Sequence, residues 1–377
     1  MKYRIKQWFK MFAQNVLFPI IYFFNKFKRV DKNLIVLADS RHENCPEHMK
    51  EIRDYLYARN FKVRDFFFDS DKLGMFNALK KMMEFMALYP KCGYVIICDN
   101  FLPIASCEKR KGTKVIQLWH GCGAFKKFGY QAKDDVPEYY KGEVYRNYDV
   151  VTVSGQACVK SFETAMRVPN RVMPLGVSHT DRLFDANYIE TCKDKLAYEH
   201  PDSKGKKIVL WAPTFRGKAS NGTYCGEDFI NNLKLTDFVC ENCYVIKSIH
   251  PHLERLGNTD DCIMSTDELI ACADVLITDY SSVFFEYLLL DKPIIFFAPD
   301  YEKYAKERGF YLDYNSLPGI VINGGTVLPE QYQTFLNNGV EEALTDDRFR
   351  DKRFEFRSLY MHACDGNATQ RIVEKIL

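Results

Sequence analysis

The segment VLITDYSSVFFEY, residues 275–287, decides the fold class of this chain. Its first four residues form a short apolar run that is typical of a buried strand, whereas the apolar residues after Ser282 have helical spacing. The turn between them carries Asp279, Ser281 and Ser282. A buried strand that leads through a polar turn into a helix is typical of parallel α/β sheets, whose ligands bind beyond the carboxyl ends of the strands.

Apolar runs and helical patterns repeat this arrangement in two series along the chain. The first series predicts strands at 34–38, 94–98, 114–119 and 150–153 and helices at 46–59, 75–88 and 156–166. The second series predicts strands at 208–212, 244–249, 275–278 and 294–297 and helices at 228–239, 267–272 and 282–290. Alternation of this kind predicts an α/β protein with two doubly wound, Rossmann-like domains.

The boundary between these domains is predicted from turn-forming residues. Prolines and glycines punctuate a polar stretch at 171–206, which is therefore the expected break. We expect an N-terminal domain at 31–175 and a C-terminal domain at 176–377. The last helix, predicted at 368–377, is a candidate to cross back to the first domain.

Overall charge and cysteine usage exclude some classes of function. The 377-residue chain carries 52 Lys and Arg against 50 Asp and Glu, a formal charge of +2, so it lacks the basic excess of a nucleic-acid-binding domain. Any anionic ligand must be bound by a local group of residues. The 13 cysteines are scattered, and only Cys240 and Cys243 have metal-ligand spacing. This pattern is typical of reduced cytosolic thiols, and no metal site is expected.

Residues 1–30 differ from the rest because they contain seven basic residues and no acidic one. A largely aromatic stripe recurs there at spacings of three and four, formed by Ile5, Trp8, Phe9, Phe12, Val16, Ile20, Phe23, Phe24 and Phe27. The uncharged stretch 11–25 is shorter than the roughly 20 apolar residues needed to span a bilayer, and no signal-peptide cleavage site follows it. Two interpretations stay open. One is an amphipathic anchor lying on an anionic membrane surface, and the other is a helix packed on the first domain with solvated basic residues.

The segment QLWHGCGAFKKFG, residues 117–129, provides the first candidate for chemistry. A predicted strand ends in His120, and Gly121 beside it permits a substrate to approach the backbone. A histidine in this place can act as a base near neutral pH, which makes His120 a catalytic candidate. Lys126 and Lys127 are candidates for binding an anionic substrate. The alternative is a core histidine at the end of a strand.

Two further strand ends carry candidate residues. In WAPTFRG, residues 211–217, Thr214 supplies a hydroxyl and Arg216 a guanidinium that can bind phosphate with two parallel hydrogen bonds. A surface ion pair is the alternative for Arg216. In VIKSIHPH, residues 245–252, Pro251 ends the strand and places His250 at its tip. A metal held by His250 and His252 is disfavoured, because no carboxylate or cysteine lies at suitable spacing nearby.

The turn in 275–287 has the most specific pattern. Ser281 and Ser282 open a helix whose N-terminal N–H groups and dipole favour an anion. Together with Thr278 and Asp279, which lie just before them in the chain, they are candidates to bind the substrate. Glu286 lies one turn further along and is a candidate to reach a ribose hydroxyl. The alternative is a serine that caps its helix without any ligand.

Five blocks, in this order, resemble the CDP-glycerol glycerophosphotransferase family of teichoic-acid primases and polymerases. They are WHGCGAFKKFG at 119–129, APTFR at 212–216, HP at 250–251, TDYSS followed by FFEYLLLDKPIIFFAPD at 278–300, and RGFYLDY at 308–314. The resemblance implies a glycosyltransferase-B-like fold with two domains, an acceptor-side domain at 31–175 and a CDP-alditol-binding domain at 176–377. It also implies that His120 and His250 are catalytic or bind the donor.

The function expected from this resemblance is transfer of glycerol phosphate or ribitol phosphate from a CDP-alditol to a hydroxyl of a membrane-linked glycan or polyol-phosphate acceptor, with release of CMP. We expect the enzyme to lie peripherally on the cytoplasmic face of the membrane and to need no cofactor or metal. Two alternatives stay open, namely a nucleotide-sugar glycosyltransferase of the same architecture and a non-catalytic membrane-surface module that binds nucleotide or glycan. The choice of alditol, the choice of primer or polymer as acceptor, the number of transfers and the oligomeric state are left open.

Overall fold

Two separate parallel sheets organise the chain in a computed structural model that describes residues 2–132, 135–216, 223–224, 234–248 and 264–377. The first unit comprises Met1–Gly121, Phe128–Asp181 and His362–Leu377, and the second comprises Cys122–Lys127 and Arg182–Met361. Each unit has its own sheet and its own apolar core.

The first unit is built on a seven-stranded sheet in the order β2-β3-β1-β4-β5-β6-β7, in which only β2 and β3 pair antiparallel. Its strands are β1 (Asp31–Asp39), β2 (Arg41–His42), β3 (Lys62–Asp69), β4 (Cys92–Ile97), β5 (Lys114–Gln117), β6 (Val150–Thr152) and β7 (Val172–Met173). Its helices are α1 (Lys2–Phe12), α2 (Phe18–Asn25), α3 (Glu47–Ala58), α4 (Ser70–Leu88), α5 (Val159–Met166) and, at the end of the chain, α13 (Ala368–Ile376). Apolar residues of α3 and α13 pack together against β1, β4 and β5, which places the last helix in the first unit.

The second unit is built on a five-stranded parallel sheet in the order β11-β8-β12-β13-β14. Its strands are β8 (Lys207–Ala212), β11 (Cys243–Lys247), β12 (Val275–Thr278), β13 (Ile294–Ala298) and β14 (Ile320–Asn323), with a short antiparallel pair formed by β9 (Phe215–Arg216) and β10 (Thr223–Tyr224). Its helices are α6 (Ala186–Glu199), α7 (Asp237–Asn242), α8 (Thr266–Cys272), α9 (Val283–Tyr287), α10 (Tyr301–Glu307), α11 (Tyr332–Thr345) and α12 (Arg350–Tyr360).

The stretch 171–206, interpreted from its sequence as a polar break, contains the 14-residue helix α6. Arg182 lies 2.8 Å from Asp267, and Lys195 donates to Glu268 at 2.9 Å, so ion pairs fix α6 and the residues before it to α8. Burial alone would raise the pKa of Glu268, but its hydrogen bonds with Lys195 and with the Ser265 backbone lower it below the ordinary value. The polar residues of this stretch therefore hold α6 against α8. The chain passes from the first unit to the second between residues 181 and 182.

Residues 2–30 are helical up to Asn25, with one π-helical turn at Ala13–Leu17 between α1 and α2. One side of this segment packs on the first unit through Phe18 and Tyr22, both buried, and the Tyr22 hydroxyl accepts from the Arg110 N–H at 3.0 Å. The amide of Gln14, also buried, donates to the carbonyl oxygen of Glu143 at 2.5 Å. The segment is thus firmly attached to the first unit.

From Trp8 onward, the stripe predicted in this segment lies on its other side and faces outward. Trp8 is 66% exposed and Phe27 is 75% exposed, and the side chains of Phe9, Phe12, Val16, Ile20, Phe23 and Phe24 are also exposed. Packing and exposure are therefore divided between two faces of one segment. Within the described residues, no helix combines the length and apolar character needed to cross a bilayer.

Candidate active site

Both sheets have a point at which the order of strands reverses, and ligands of doubly wound sheets bind there, beyond the carboxyl ends of the strands. In the first unit the chain runs from β1 to β3 on one side and then to β4 on the other. Asp39 ends β1, and Asp99 follows β4. In the second unit the chain runs from β8 to β11 and then to β12 on the opposite side, so Thr214 and Asp279 mark the corresponding point.

The position of His120 is fixed by Gln117 and Trp119. Gln117 is fully buried at the end of β5, accepts from the Trp119 N–H at 2.8 Å and donates to the Asp99 carbonyl at 3.1 Å. Trp119 has a left-handed φ of 64°, which is uncommon for a bulky residue and turns the chain sharply after the strand. The indole then stacks on the His120 imidazole at 4.5 Å between ring centroids. His120 is consequently held beyond the carboxyl ends of the strands, with 44% of its side chain exposed.

Other polar groups surround this imidazole in the first unit. The Nδ1 atom of His120 lies 3.4 Å from the Cys98 carbonyl and 4.0 Å from Oδ1 of Asp99. The second oxygen of Asp99 pairs with Arg41 at 2.9 Å. The ring of His48, in the first turn of α3, lies 6.3 Å from that of His120. The switch point of the first unit thus carries an imidazole next to an ion-paired carboxylate.

A further histidine extends this group. The Nδ1 atoms of His48 and His179 are 3.4 Å apart, and their rings meet edge to face at 4.7 Å. His179 is buried, whereas His48 is partly exposed. The three imidazoles therefore form a row in space, which runs from the buried His179 through His48 to the exposed His120.

In the second unit, Asp279 and Arg216 form the centre of a polar network. Asp279 is only 1% exposed, and its Oδ1 accepts from the backbone N–H groups of Thr214 at 2.8 Å and Tyr280 at 2.5 Å. Arg216 lies 2.8 Å from the other oxygen of Asp279, donates to both oxygens of Asp300 at 2.8 and 3.0 Å, and donates through Nη1 to the Thr214 carbonyl at 2.5 Å. Arg216 thus donates three hydrogen bonds to protein groups and forms an ion pair with Asp279.

Aromatic rings enclose this cation. Tyr280 and Tyr304 stack at 4.0 Å, and the guanidinium carbon of Arg216 lies 4.7 and 4.9 Å from their ring centroids. Burial alone would lower the pKa of Arg216, but Asp279 and Asp300 raise it above the ordinary value. Burial and then Asp300 raise the pKa of Tyr280, and burial raises that of Tyr304 to about 12. Arg216 therefore stays cationic and both phenols stay protonated at neutral pH.

The remaining predicted residues of the strand–helix turn lie at the start of α9. Thr278 is buried, and its hydroxyl donates to the Ala212 carbonyl at 2.7 Å, which links β12 to β8. Ser281 accepts weakly from the Val283 N–H at 3.4 Å, and Ser282, the residue before the helix, makes no side-chain cap. Glu286 lies in this helix and is buried. The α9 helix has five residues, shorter than the predicted 282–290, and a 3₁₀ turn at Leu288–Leu290 continues it.

The two lysines lie on a segment that joins the second unit, although the sequence placed it within the domain at 31–175. The Lys127 N–H donates to the Gly309 carbonyl at 3.1 Å, and Lys126 forms an isolated antiparallel bridge with Phe310. Gly123 has a φ of +69°, and a Cβ atom there would lie 2.2 Å from the ring of Phe285. Only glycine fits at this position, because the backbone runs directly over the aromatic ring.

Comparison with known proteins shows the family of the chain. The family model described as CDP-Glycerol:Poly(glycerophosphate) glycerophosphotransferase matches residues 20–377. The chain belongs to this family. It is 32% identical over 367 residues to the teichoic acid ribitol-phosphate primase of Bacillus spizizenii, covering 92% of this chain and 91% of the relative. It is 31% identical over 306 residues to the teichoic acid glycerol-phosphate primase of Bacillus subtilis, covering 75% and 73% of the two chains.

Similarity to solved structures shows the fold of this member of the CDP-glycerol glycerophosphotransferase family. The wall teichoic acid polymerase TagF matches with a TM-score of 0.72 at 20% identity, covering 99% of this chain and 97% of that one. The UDP-GlcNAc 2-epimerase of Neisseria meningitidis matches with a TM-score of 0.54 at 11% identity, covering 91% and 99%. The prediction of a two-domain, glycosyltransferase-B-like α/β fold is confirmed, and the chain is a CDP-alditol phosphotransferase.

Sequence reasoning missed four polar residues that the structure places at the candidate site. Asp39 and Asp99 end or directly follow predicted strands, which is the criterion that identified His120, so the same rule applied throughout would have found them. His48 and His179 lie in a helix and a 3₁₀ turn, and no local pattern marks them. His250, together with Pro251 and His252, lies outside the described residues and stays a prediction.

Proposed function

We propose that this transferase moves glycerol phosphate or ribitol phosphate from the corresponding CDP-alditol to a hydroxyl of a lipid-linked glycan or polyol-phosphate acceptor at a membrane surface. The observation that carries the proposal is the exposed His120 imidazole at the switch point of the first sheet. The two relatives support both alditols, since one is named a ribitol-phosphate primase and the other a glycerol-phosphate primase.

In the proposed reaction the acceptor oxygen forms a bond to the β-phosphorus of the CDP-alditol. The bond between that phosphorus and the bridging oxygen breaks, and CMP leaves with the electron pair. His120 takes the hydroxyl proton on Nε2, so the product is a phosphodiester between acceptor and alditol. A positioned general base contributes about 10²- to 10⁴-fold to such a step. Positioning of the donor and stabilisation of phosphoryl charge supply the rest.

Donor binding is assigned to the second unit. Ser281 and Ser282 offer hydroxyls at the start of α9, and the hydroxyl of Thr214 is buried without a hydrogen-bond partner among the described residues. Lys126 and Lys127 supply positive charge for the diphosphate. Thr278, Asp279 and Arg216 shape the turn that carries these groups, and Glu286 remains the candidate for the ribose. His250 keeps its proposed role as a second catalytic residue.

Attachment to the membrane is assigned to the outward face of residues 8–27. Its exposed aromatic side chains occupy the side opposite to Phe18 and Tyr22, which pack on the first unit. Lys10, Lys26 and the basic residues that follow lie in the same segment and complement anionic lipid headgroups. A segment that is fixed to the enzyme on one side and aromatic on the other is suited to lie in a membrane interface.

The proposal is tested by incubating the purified chain with CDP-glycerol or CDP-ribitol and a short lipid-linked acceptor, followed by mass analysis. CMP and an acceptor extended by one alditol phosphate are expected with at least one donor. We expect His120→Asn to lower turnover by about 10²- to 10⁴-fold, whereas His362→Asn, at an exposed histidine of the same unit, leaves it unchanged. A glycosidic product from a nucleotide sugar, or equal turnover in both variants, would overturn the proposal.

A further inference from the structure

We propose that Asp99 is a positioning residue that holds the His120 imidazole with its proton on Nδ1, so that Nε2 keeps the lone pair. The inference rests on the proposed role of His120 as the general base and extends it to a second residue. Asp99 is expected to act through His120 and to make no contact with the acceptor.

The Asp99 carboxylate has a fixed place at the end of β4. Its Oδ2 pairs with Nε of Arg41 at 2.9 Å, and its Oδ1 accepts from the Asn100 N–H at 2.6 Å. Its backbone carbonyl accepts from the buried amide of Gln117, which also binds the backbone next to His120. The side chain of Asp99 is only 16% exposed. The same buried amide therefore helps to fix the position of both the carboxylate and the imidazole.

The surroundings of Nδ1 determine the tautomer. The Cys98 carbonyl oxygen lies 3.4 Å from Nδ1 and Oδ1 of Asp99 lies 4.0 Å from it, and both atoms can only accept a hydrogen bond. A proton on Nδ1 is thus favoured over a lone pair. Stacking on Trp119 opposes rotation of the ring, since rotation would give up the 4.5 Å contact. Nε2 is left as the basic atom.

The same arrangement serves the charged state of the reaction. When Nε2 takes the acceptor proton, His120 becomes an imidazolium whose Nδ1–H faces a negative carboxylate. Arg41 pairs with Oδ2 of that carboxylate at 2.9 Å, which leaves Oδ1 as the oxygen nearer to the ring. Asparagine at position 99 would change the chemistry, because its amide can donate to Nδ1 and so favour the tautomer with the proton on Nε2.

The direct test is ¹⁵N NMR of histidine-labelled protein, with the His120 signals identified by their loss in His120→Asn. We expect the parent to carry the proton on Nδ1 and Asp99→Asn to shift the population toward the Nε2–H tautomer. Asp149→Asn is the matched control. Asp149 also forms an ion pair, with Lys109 at 3.0 Å, and accepts from the Val115 N–H, but it lies at the amino ends of the strands of the same sheet. It should leave the His120 signals unchanged.

Kinetics supply a second readout. We expect Asp99→Asn to lower kcat by about tenfold to a hundredfold, part of what a general base contributes, with the donor KM nearly unchanged. Asp99→Ala offers no donor to Nδ1 and should be less damaging than Asp99→Asn, whereas a purely structural role predicts the reverse order. Unchanged His120 signals in Asp99→Asn, or a kcat within twofold of the parent, would overturn the proposal. The NMR result is independent of turnover, so it stands even where His120→Asn proves active and the proposed base is lost.

Discussion

Replacing Arg216 by methionine tests whether the polar network of the second unit stabilises the fold. The methionine keeps an unbranched chain of similar reach but removes the cation that lies 2.8 Å from both Asp279 and Asp300. Asp279 is then left as a buried carboxylate without its partner. Removing one member of a buried ion pair costs about 3–5 kcal/mol, because the remaining charge keeps its desolvation penalty.

The structure places the expected loss at the lower end of this range. Asp279 still accepts from the N–H groups of Thr214 and Tyr280, and Asp300 is 21% exposed and open to hydration. We therefore expect Arg216→Met to destabilise the second unit by about 3 kcal/mol. Adding Asp279→Asn should recover part of the loss, since the unpaired charge is then absent. That recovery is measured by the double-mutant cycle.

Hydrogen exchange followed by mass spectrometry is the suitable assay, because it reports the two units separately. Peptides from β8 and β12 should exchange faster in Arg216→Met, whereas peptides from β4 and β5 serve as the internal reference. Arg182→Met is the matched control, since Arg182 is equally buried but pairs with the more exposed Asp267. A loss below about 1 kcal/mol in Arg216→Met, or an equal loss in the control, would refute the reasoning for a buried, desolvated pair.

Three further changes have defined outcomes. Gly123→Ala should lower Tm by several degrees, because its Cβ would lie 2.2 Å from the Phe285 ring and φ is +69°; an unchanged Tm would mean that the ring moves aside at no cost. Glu268→Gln should cost about 1 kcal/mol at pH 7 by urea unfolding. Since the pKa of Glu268 is lowered on folding, this contribution is present above its unfolded value of 4.5 and is lost as pH falls through the folded pKa; a difference that does not shrink as the pH is lowered below 4.5 contradicts the linkage. Phe27→Ser should weaken sedimentation with anionic vesicles by about tenfold, whereas Tyr198→Ser, at an exposed aromatic of α6, should not; equal binding by both variants places the membrane contact elsewhere.

Strands were predictable where a buried run is continuously apolar. Val275–Thr278 has the predicted bounds, because every residue in it is buried and Asp279 ends it. In contrast, Lys62–Asp69 was missed, since Lys62, Arg64 and Asp65 interrupt a strand that is only partly buried next to the edge of its sheet. The periodicity of apolar residues reflects which side chains are buried, so strands and helices that bury few side chains are hard to predict from it.

Helix α6 illustrates the same limit. It buries Cys192 and Leu196 but few other side chains, so its sequence is as polar as that of a linker. What makes it a helix in this place is docking through Lys195 and the preceding Arg182, whose partners lie 73 and 85 residues further along the chain. Contacts of that range depend on the order of strands and cannot be derived from local spacing.

The candidate site contains residues that the sequence predicted and contacts that it could not predict. The turn with Asp279, Ser281 and Ser282 was found because its signal is local, a strand followed at once by a helix. The pairing of Arg216 with Asp300 spans 84 residues and exists only because β8, β12 and β13 are neighbours in the sheet. The sequence offered the guanidinium as a candidate phosphate ligand, with an ion pair as the alternative, but it could not reveal that Asp279 and Asp300 are the carboxylates that pair with it.

Under the proposed assignment of donor binding to the second unit, this pairing determines how a diphosphate is attracted. Two carboxylates, Asp279 and Asp300, face one guanidinium, so the network around Arg216 has a net negative charge and cannot by itself draw in an anion. The attraction must come from groups outside it, and Lys126 and Lys127 on the segment paired with residues 309–311 are suited to supply it. Because Arg216 fixes the turn and the lysines carry the charge, loss of Arg216 should weaken donor binding through the fold. Loss of the lysines should weaken it through electrostatics, and therefore more strongly at low salt than at high salt.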